Sequence, residues 1–288
     1  MTEHRFSYTA DDGTEISAFR WDPASDPTGV VIINHGMGEH AGRYARLADA
    51  LTRTGRVVYA NDHRGHGRTA AATGGYGNLG PGGWPGLMAD IAQLHRMAAE
   101  VHPDCPVTMV GHSMGSFALQ QYLLDHSSEL AGAVLSGTSA IDVIAAGIDP
   151  AAEVDLSAFN APFEPARTDY DWLSRDDAEV DAYIADEGCG FGLDAASAAS
   201  MLSSVAIAGD PERLGTISAD LPIYLVSGTA DPLAGGGDLI ELVATRYREA
   251  GVTDVTVELS PDARHEVFNE TNRDAITAAM IDWMAARA

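Results

Sequence analysis

Six apolar, largely β-branched runs, most of them closing at a glycine or a small polar residue, restrict this chain more than any other feature. They are GVVIINHG (29–36), RVVYAND (56–62), PVTMVGHS (106–113), AGAVLSG (131–137), PIYLVSGTAD (222–231) and VTVELSP (255–261). A strand that is apolar along its whole length must be covered on both faces, which is the condition of a parallel sheet between layers of helices. Those helices are expected between the runs. RYARLADALTRTG (43–55) and WPGLMADIAQLHRMAAEVH (84–102) carry apolar residues at helical spacing, a helix starts directly after PVTMVGHS, and two more are expected near 237–250 and 272–286.

Two further segments, RFSYTA and TEISAFRWD, alternate in polarity around DDG near the N-terminus, the pattern of an antiparallel hairpin with one wet face. The expected fold is α/β, a mostly parallel eight-stranded sheet with an N-terminal antiparallel hairpin and helices on both faces. The rhythm fails once. Residues 138–215 hold no buried strand but are rich in Asp, Glu, Ala and aromatics, and they read as short helices and loops inserted over one sheet edge. The organisation is therefore a core of 1–137 and 216–288 with an insertion at 138–215.

Charge narrows the partners. Forty-two acidic residues face 17 basic ones, for a net charge of −25, and every basic residue is arginine. Nucleic acid needs a basic face, and an anionic bilayer would repel such a surface. No run approaches the length of a spanning helix, and the opening MTEHRFSYTADDG lacks the apolar stretch of a signal peptide, so a cytoplasmic location without integral membrane insertion is expected. Cys105 and Cys189 are the two cysteines, expected as free thiols, with Cys189 exposed among the glycines of EGCGFG.

The chemistry centres on TMVGHSMGSFALQQYLL (108–124), where a strand ends and a helix begins around one serine between two glycines. The pattern G-x-S-x-G is weak alone, but strand before and helix after are the context of a nucleophile elbow. Gly111 and Gly115 leave room for a tight turn, and Ser113 would project its hydroxyl at the carboxyl end of the sheet. A serine needs a base, and of ten histidines only His265 lies beyond the last strand, on a loop entering the final helix. Asp231, at the end of the run 222–231, is the acid placed to orient it; Asp142 and Asp262 are rivals. His112 reads as a packed histidine, because neighbouring strand residues point to opposite faces. Acyl transfer also needs oxyanion donors, for which the backbone N–H groups of Met37, in NHGMGEHAGRY, and of Met114 are the candidates.

Taken together, NHGMGEHAGRY, DHRGHGRT (62–69), GHSMG, GTADPL and DARHEVFNE resemble the α/β-hydrolase superfamily, within it the monoacylglycerol lipase and lysophospholipase branch sometimes grouped with serine aminopeptidases. The resemblance implies that 138–215 is a helical cap over the site. It also implies Ser113 as nucleophile, His265 as base and Asp231 as acid, with no metal and no organic cofactor. The implied reaction is ester hydrolysis through an acyl-enzyme, on monoacylglycerol, lysophospholipid or similar medium-chain esters. Alternatives are a small-ester esterase, amide or peptide hydrolysis by the same groups, or a silent binding protein on this scaffold. Within the cap, Ile141, Ile144, Phe159, Phe163, Trp172, Leu173 and Phe191, together with Tyr183 and Met201, are candidates to line an acyl channel, and a weak lipid contact through the cap is expected. Glu39, His40, Arg43 and Tyr44 are expected to shape the oxyanion loop, and Asp62 with Arg64 to form an ion pair beneath the elbow.

Overall fold

The computed structural model describes residues 1–146 and 154–287, so part of the expected insertion, 147–153, lies outside the described residues. Eight strands form one sheet: β1 (Thr2–Thr9), β2 (Glu15–Asp22), β3 (Gly29–Asn34), β4 (Arg56–Asn61), β5 (Val107–His112), β6 (Gly132–Ser136), β7 (Ile223–Gly228) and β8 (Val255–Ser260). Their spatial order is β1-β2-β4-β3-β5-β6-β7-β8. β1 pairs antiparallel with β2, and β2 antiparallel with β4; every later pairing is parallel. All six apolar runs form strands of the parallel part. β1 is the exposed edge, with only Phe6 and Tyr8 turned inward.

Ten α-helices accompany the sheet among the described residues: α1 (Ala45–Thr52), α2 (Ala70–Thr73), α3 (Gly83–Val101), α4 (Met114–His126), α5 (Ile141–Ala145), α6 (Asp177–Ala185), α7 (Ala195–Val205), α8 (Pro211–Leu214), α9 (Asp238–Glu249) and α10 (Arg273–Ala285). The period of two along each strand divides the core into two layers. Ile32, Met109, Leu135 and Leu225 pack with Leu87 and Ile91 of α3, Leu123 of α4 and Ile240 of α9. Their neighbours Ile33, Val110, Val134 and Val226 face the other way, onto Leu51 of α1 and Met280 and Trp283 of α10. Each fully buried side chain of this kind contributes about 1.5–3 kcal/mol relative to exposure, so the continuous apolar runs leave the strands little alternative to a doubly covered sheet.

Strand order positions the site. The chain passes from β3 outward to β4, then crosses back over β3 to β5. Where strand order reverses, the loops leaving β3 and β5 separate and open a crevice at their carboxyl ends. The segment between β6 and β7 contains no strand among the described residues, and Ile141, Phe159, Trp172 and Met201 from it line a cavity together with Ser113. Four of the segment's aspartates cap helical turns. Asp155, Asp176, Asp194 and Asp210 each accept a hydrogen bond from a backbone N–H in the first turn that follows them. Such caps are worth about 0.5–2 kcal/mol each, which accounts for part of the acidity of this segment. The insertion is tied to the core by Glu266 N donating to Leu173 O (2.8 Å), by Arg175 to Glu270 (2.9 Å) and by Arg273 to Asp176 (2.7 Å). No helix of the described residues is long and apolar enough to cross a membrane.

Candidate active site

Ser113 stands between β5 and α4 with φ 50° and ψ −122°. A positive φ on a residue with a Cβ costs about 1–3 kcal/mol and persists only where the surroundings impose it. Here two glycines do. A Cβ on Gly111 would lie 2.5 Å from Gly115 O, and one on Gly115 would lie 2.2 Å from Asn34 O, so the helix start can approach β3 only without side chains. Ser113 N donates to Ser136 O (2.9 Å), holding the turn to β6. The Ser113 hydroxyl makes no capping hydrogen bond to α4.

His265 lies on the loop between β8 and α10, and its Nδ1 is 2.9 Å from Asp231 Oδ2. Asp231 follows β7 and is itself held: its carboxylate accepts from Leu233 N (2.9 Å) and Ser227 Oγ (3.2 Å). Burial by itself would lower the basicity of His265, but the facing Asp231 carboxylate outweighs it and raises the pKa above the ordinary 6.5. With Nδ1 donating to Asp231, Nε2 is left to accept a proton, and it is buried without a partner among the described residues. The ring packs against His112 and Trp172, with its centroid 4.8 Å from each of theirs. Ser113 and His265 line the same cavity, though no hydrogen bond joins Oγ to Nε2 in this structure. The rival acids are engaged elsewhere: Asp142 forms a fork with Arg246 (2.7 and 2.9 Å), and Asp262 is exposed at a turn, where its N–H donates to Thr229.

The loop after β3 carries Met37. Glu39 Oε1 accepts from Gly36 N (2.6 Å) and from Tyr44 Oη (2.7 Å), while His35 Nδ1 donates to Gly36 O (2.7 Å). From the insertion, Tyr183 Oη donates to Gly38 O (2.8 Å). The peptide that presents the Met37 N–H is thus fixed on both sides. Neither the Met37 nor the Met114 amide meets an acceptor among the described residues, so both donors remain available. Burial opposes ionisation of Glu39, yet Arg43 and the hydrogen bonds hold its pKa below the usual carboxylate range. Glu39, Arg43 and Tyr44 therefore shape this loop as expected, and His40 caps the turn that follows it by accepting from Gly42 N (3.2 Å).

A cavity with a largely apolar wall opens beside Ser113. Of the expected channel residues, Ile141, Ile144, Phe159, Trp172, Leu173, Tyr183 and Met201 line it; Phe163 and Phe191 do not. Phe163 is covered by the Arg264 guanidinium (4.4 Å), and Phe191 packs against Tyr76 and His66. Phe117, Val154, Leu156, Leu202 and Leu233 complete the wall and are not singled out by the sequence. Two of these carry a signal even so: Phe117 is one helical turn beyond Ser113 on the same face of α4, and Leu233 follows Asp231 by two residues. His112 is packed and buried, but it borders the cavity rather than pointing away, because the strand ends at this residue.

Arg64 and Asp62 brace the structure separately instead of pairing. Arg64 forks to Asp90 (2.7 and 2.9 Å) and reaches Asp12 (2.5 and 3.1 Å), whereas Asp62 accepts from the backbone of Ala41 and Arg68 (3.0 and 2.9 Å). The fork geometry of a guanidinium is met by two carboxylates across α3 and the hairpin, leaving Asp62 to its local loop. Both cysteines are free thiols; Cys189 is half-buried rather than exposed, and burial raises its pKa. The potential metal-ligand atoms of His40, Asp186 and Cys189 lie within 4.8 Å of one another, outside the cavity, where His40 Nε2 and Asp186 already share a 3.0 Å hydrogen bond.

A serine on a strained strand-to-helix turn, an Asp-oriented histidine and a reversed strand order together define a serine-type α/β hydrolase. The family model described as "Serine aminopeptidase, S33" matches residues 25–272, and the chain belongs to this hydrolase family. The monoacylglycerol lipase of Mycolicibacterium smegmatis is 32% identical over 290 residues, covering 99% of this chain and 98% of that one. Human monoglyceride lipase is 27% identical over 278 residues, covering 91% and 86% of the two chains. Among solved structures, a thermostable carboxyl esterase from Bacillus coagulans in complex with glycerol superposes with a TM-score of 0.88 at 28% identity, covering 99% of both chains.

Proposed function

We propose that the protein hydrolyses carboxylic esters of a medium-length acyl chain, with monoacylglycerol as the substrate class, and that Ser113, His265 and Asp231 carry the reaction. His265 Nε2 takes the proton of Ser113 as Oγ attacks the ester carbonyl. The Met37 and Met114 N–H groups hold the developing oxyanion, a role in which one donor is worth about 3 kcal/mol of transition-state stabilisation. His265 then passes its proton to the departing alcohol, and a water activated by the same nitrogen hydrolyses the acyl-enzyme. Asp231 keeps Nδ1 protonated throughout.

The observation that carries this reading is the 2.9 Å bond between His265 and Asp231, which leaves a free Nε2 in the cavity that Ser113 borders. The names of the relatives and the apolar wall beside Ser113 support an acyl-chain ligand. The 138–215 insertion acts as the cap. Exposed Val143 and Ile184 on it, 45% and 48% accessible, support weak contact with a lipid surface. Labelling by a fluorophosphonate, lost in Ser113→Ala, tests the nucleophile. Rates on p-nitrophenyl esters of increasing length, with 1-acylglycerols alongside, test the substrate class. Label retained in Ser113→Ala, or a rate that falls steadily as the acyl chain lengthens, would overturn the corresponding part.

A further inference from the structure

The core does not hold the base alone. The insertion lies against the His265 loop main chain to main chain: His265 N donates to Trp172 O (3.3 Å) and Glu266 N to Leu173 O (2.8 Å). The Arg264 guanidinium adds hydrogen bonds to the carbonyls of Asp171 and Ser174. Trp172 is fixed in turn, its N–H donating to Asn160 Oδ1 (3.0 Å) and its ring packing on Phe159 (5.1 Å between centroids). The result is an indole packed against the imidazole, with centroids 4.8 Å apart and planes inclined by 39°, both side chains being buried. The indole Nε1–H meets no acceptor among the described residues, so a hydrogen bond of its own does not account for a tryptophan at this place.

A cation within about 6 Å of an aromatic ring is attracted by the negative face of the ring, and more strongly where water is excluded. The His265 imidazole becomes such a cation when it takes the Ser113 proton. Resting on the ester-hydrolase reading above, we propose that Trp172 is a positioning residue for the base, its ring holding the His265 imidazole in place and stabilising the imidazolium formed as Ser113 attacks. Asp231 acts on the same cation through Nδ1, along the ring plane, whereas Trp172 meets the ring from the insertion side. The other groups facing the imidazole are accounted for. His112, from the end of β5, is kept neutral by burial, which holds its pKa at about 4. Glu266, on the same loop, and Glu39, from the loop after β3, share the Arg43 guanidinium (2.6–2.8 Å). Asp171, the neighbour of Trp172, is occupied by Thr168 Oγ1 (2.6 Å) and Arg167 N (2.7 Å).

Trp172→Leu keeps the site apolar and removes the aromatic face; Trp172→Phe keeps a face. In Trp172→Leu, kcat is expected to fall about tenfold on p-nitrophenyl acetate and octanoate alike, because both steps of either reaction pass through His265. The acid limb of its pH–rate profile is expected to move down by about 0.4–1.5 on the pH scale, since the imidazolium has lost a stabilising partner. Trp172→Phe is expected to restore most of both. A wild-type measurement covers the case in which the leucine variant does not fold. Protonated imidazole quenches a neighbouring excited indole, so tryptophan emission should step down as pH falls through the midpoint of the acid limb, and the step should be absent in His265→Gln. A loss confined to octanoate would make Trp172 a wall of the acyl channel only and overturn the proposal. An unmoved midpoint in folded Trp172→Leu, a phenylalanine variant no better than leucine, or emission without that step would overturn it too. Failure of the wild type to cleave p-nitrophenyl acetate, with the emission step present, would instead overturn the ester-hydrolase reading.

Discussion

Replacing Ser113 with glycine should make the protein more stable while abolishing its activity. At φ 50° and ψ −122° the serine occupies the mirror image of an ordinary extended conformation, which glycine adopts freely. Relief of that strain is worth about 1–3 kcal/mol. Against it stands the greater freedom of glycine in the unfolded chain, about 0.4–1 kcal/mol. The net gain is centred on about 1.3 kcal/mol, within limits of about 0 and 2.6 kcal/mol. For 288 residues the unfolding entropy is about 0.6 kcal/mol per degree, so the midpoint should rise by about 1–3 °C. Ser113→Ala is the control. It also removes the hydroxyl but keeps Cβ and the strain, so its stability should stay within about 0.5 kcal/mol of wild type. Equilibrium urea unfolding of the three proteins, together with p-nitrophenyl butyrate hydrolysis, reads both effects. Glycine and alanine variants of equal stability would show that no strain is stored at the elbow, and turnover by either would remove Ser113 as nucleophile.

Asp231→Asn should lower kcat by about 10⁴-fold, because the amide favours the wrong imidazole tautomer, and an unchanged kcat would place the orienting acid elsewhere. The proposed mechanism needs neutral His265, so the acid limb of the wild-type pH–rate profile should have its midpoint above 6.5; in Asp231→Asn, with burial left as the main influence, any residual activity should show a midpoint below 6.5. Stability responds to the other histidines with the opposite sign. Burial holds His35, His66 and His112 at about 4, 3 and 4, so the unfolded chain binds protons first as pH falls, and stability should decline from pH 6.5 toward 4 in urea titrations. The raised pKa of His265 works against this, because its contribution is fully present below pH 6.5 and lost as pH rises through its folded value. A stability that is flat across that window would contradict the burial of the three. Gly115→Ala must displace the elbow helix from β3, since its Cβ would lie 2.2 Å from Asn34 O; a loss of about 3 kcal/mol or more, or failure to fold, is expected from differential scanning calorimetry.

Which parts of the site are readable in the chain follows from how local each signal is. The apolar runs dictate a doubly covered sheet, since β3 to β7 can bury nearly every residue only between two layers of helices, while β8 at the far edge stays partly exposed. Gly111 and Gly115 flank a hydroxyl at a strand-to-helix junction, and the conformation they permit is written in those few residues. The order Ser113, Asp231, His265 places each group at the end of a strand or on the loop after one, so the topology brings them to a common edge. Longer-range choices are not legible. Asp142 and Asp231 both follow strands, and Asp142 is set aside only because Arg246, 104 residues away, engages it. Arg64 reads as the partner of Asp62 at two residues' distance, but Asp90 and Asp12 meet its fork better. In the insertion, composition marks Phe163 and Phe191 as channel residues as readily as Phe159. Their direction depends on Arg264, His66 and Tyr76, which come near them only after folding. The sheet, the elbow and the positions of the proposed nucleophile and base are thus specified along the chain, because period, glycine and strand ends are local properties. Which carboxylate pairs with which cation, and which aromatic faces the cavity, is settled only in the folded molecule, because those outcomes depend on atoms far apart in the chain competing for one place in space.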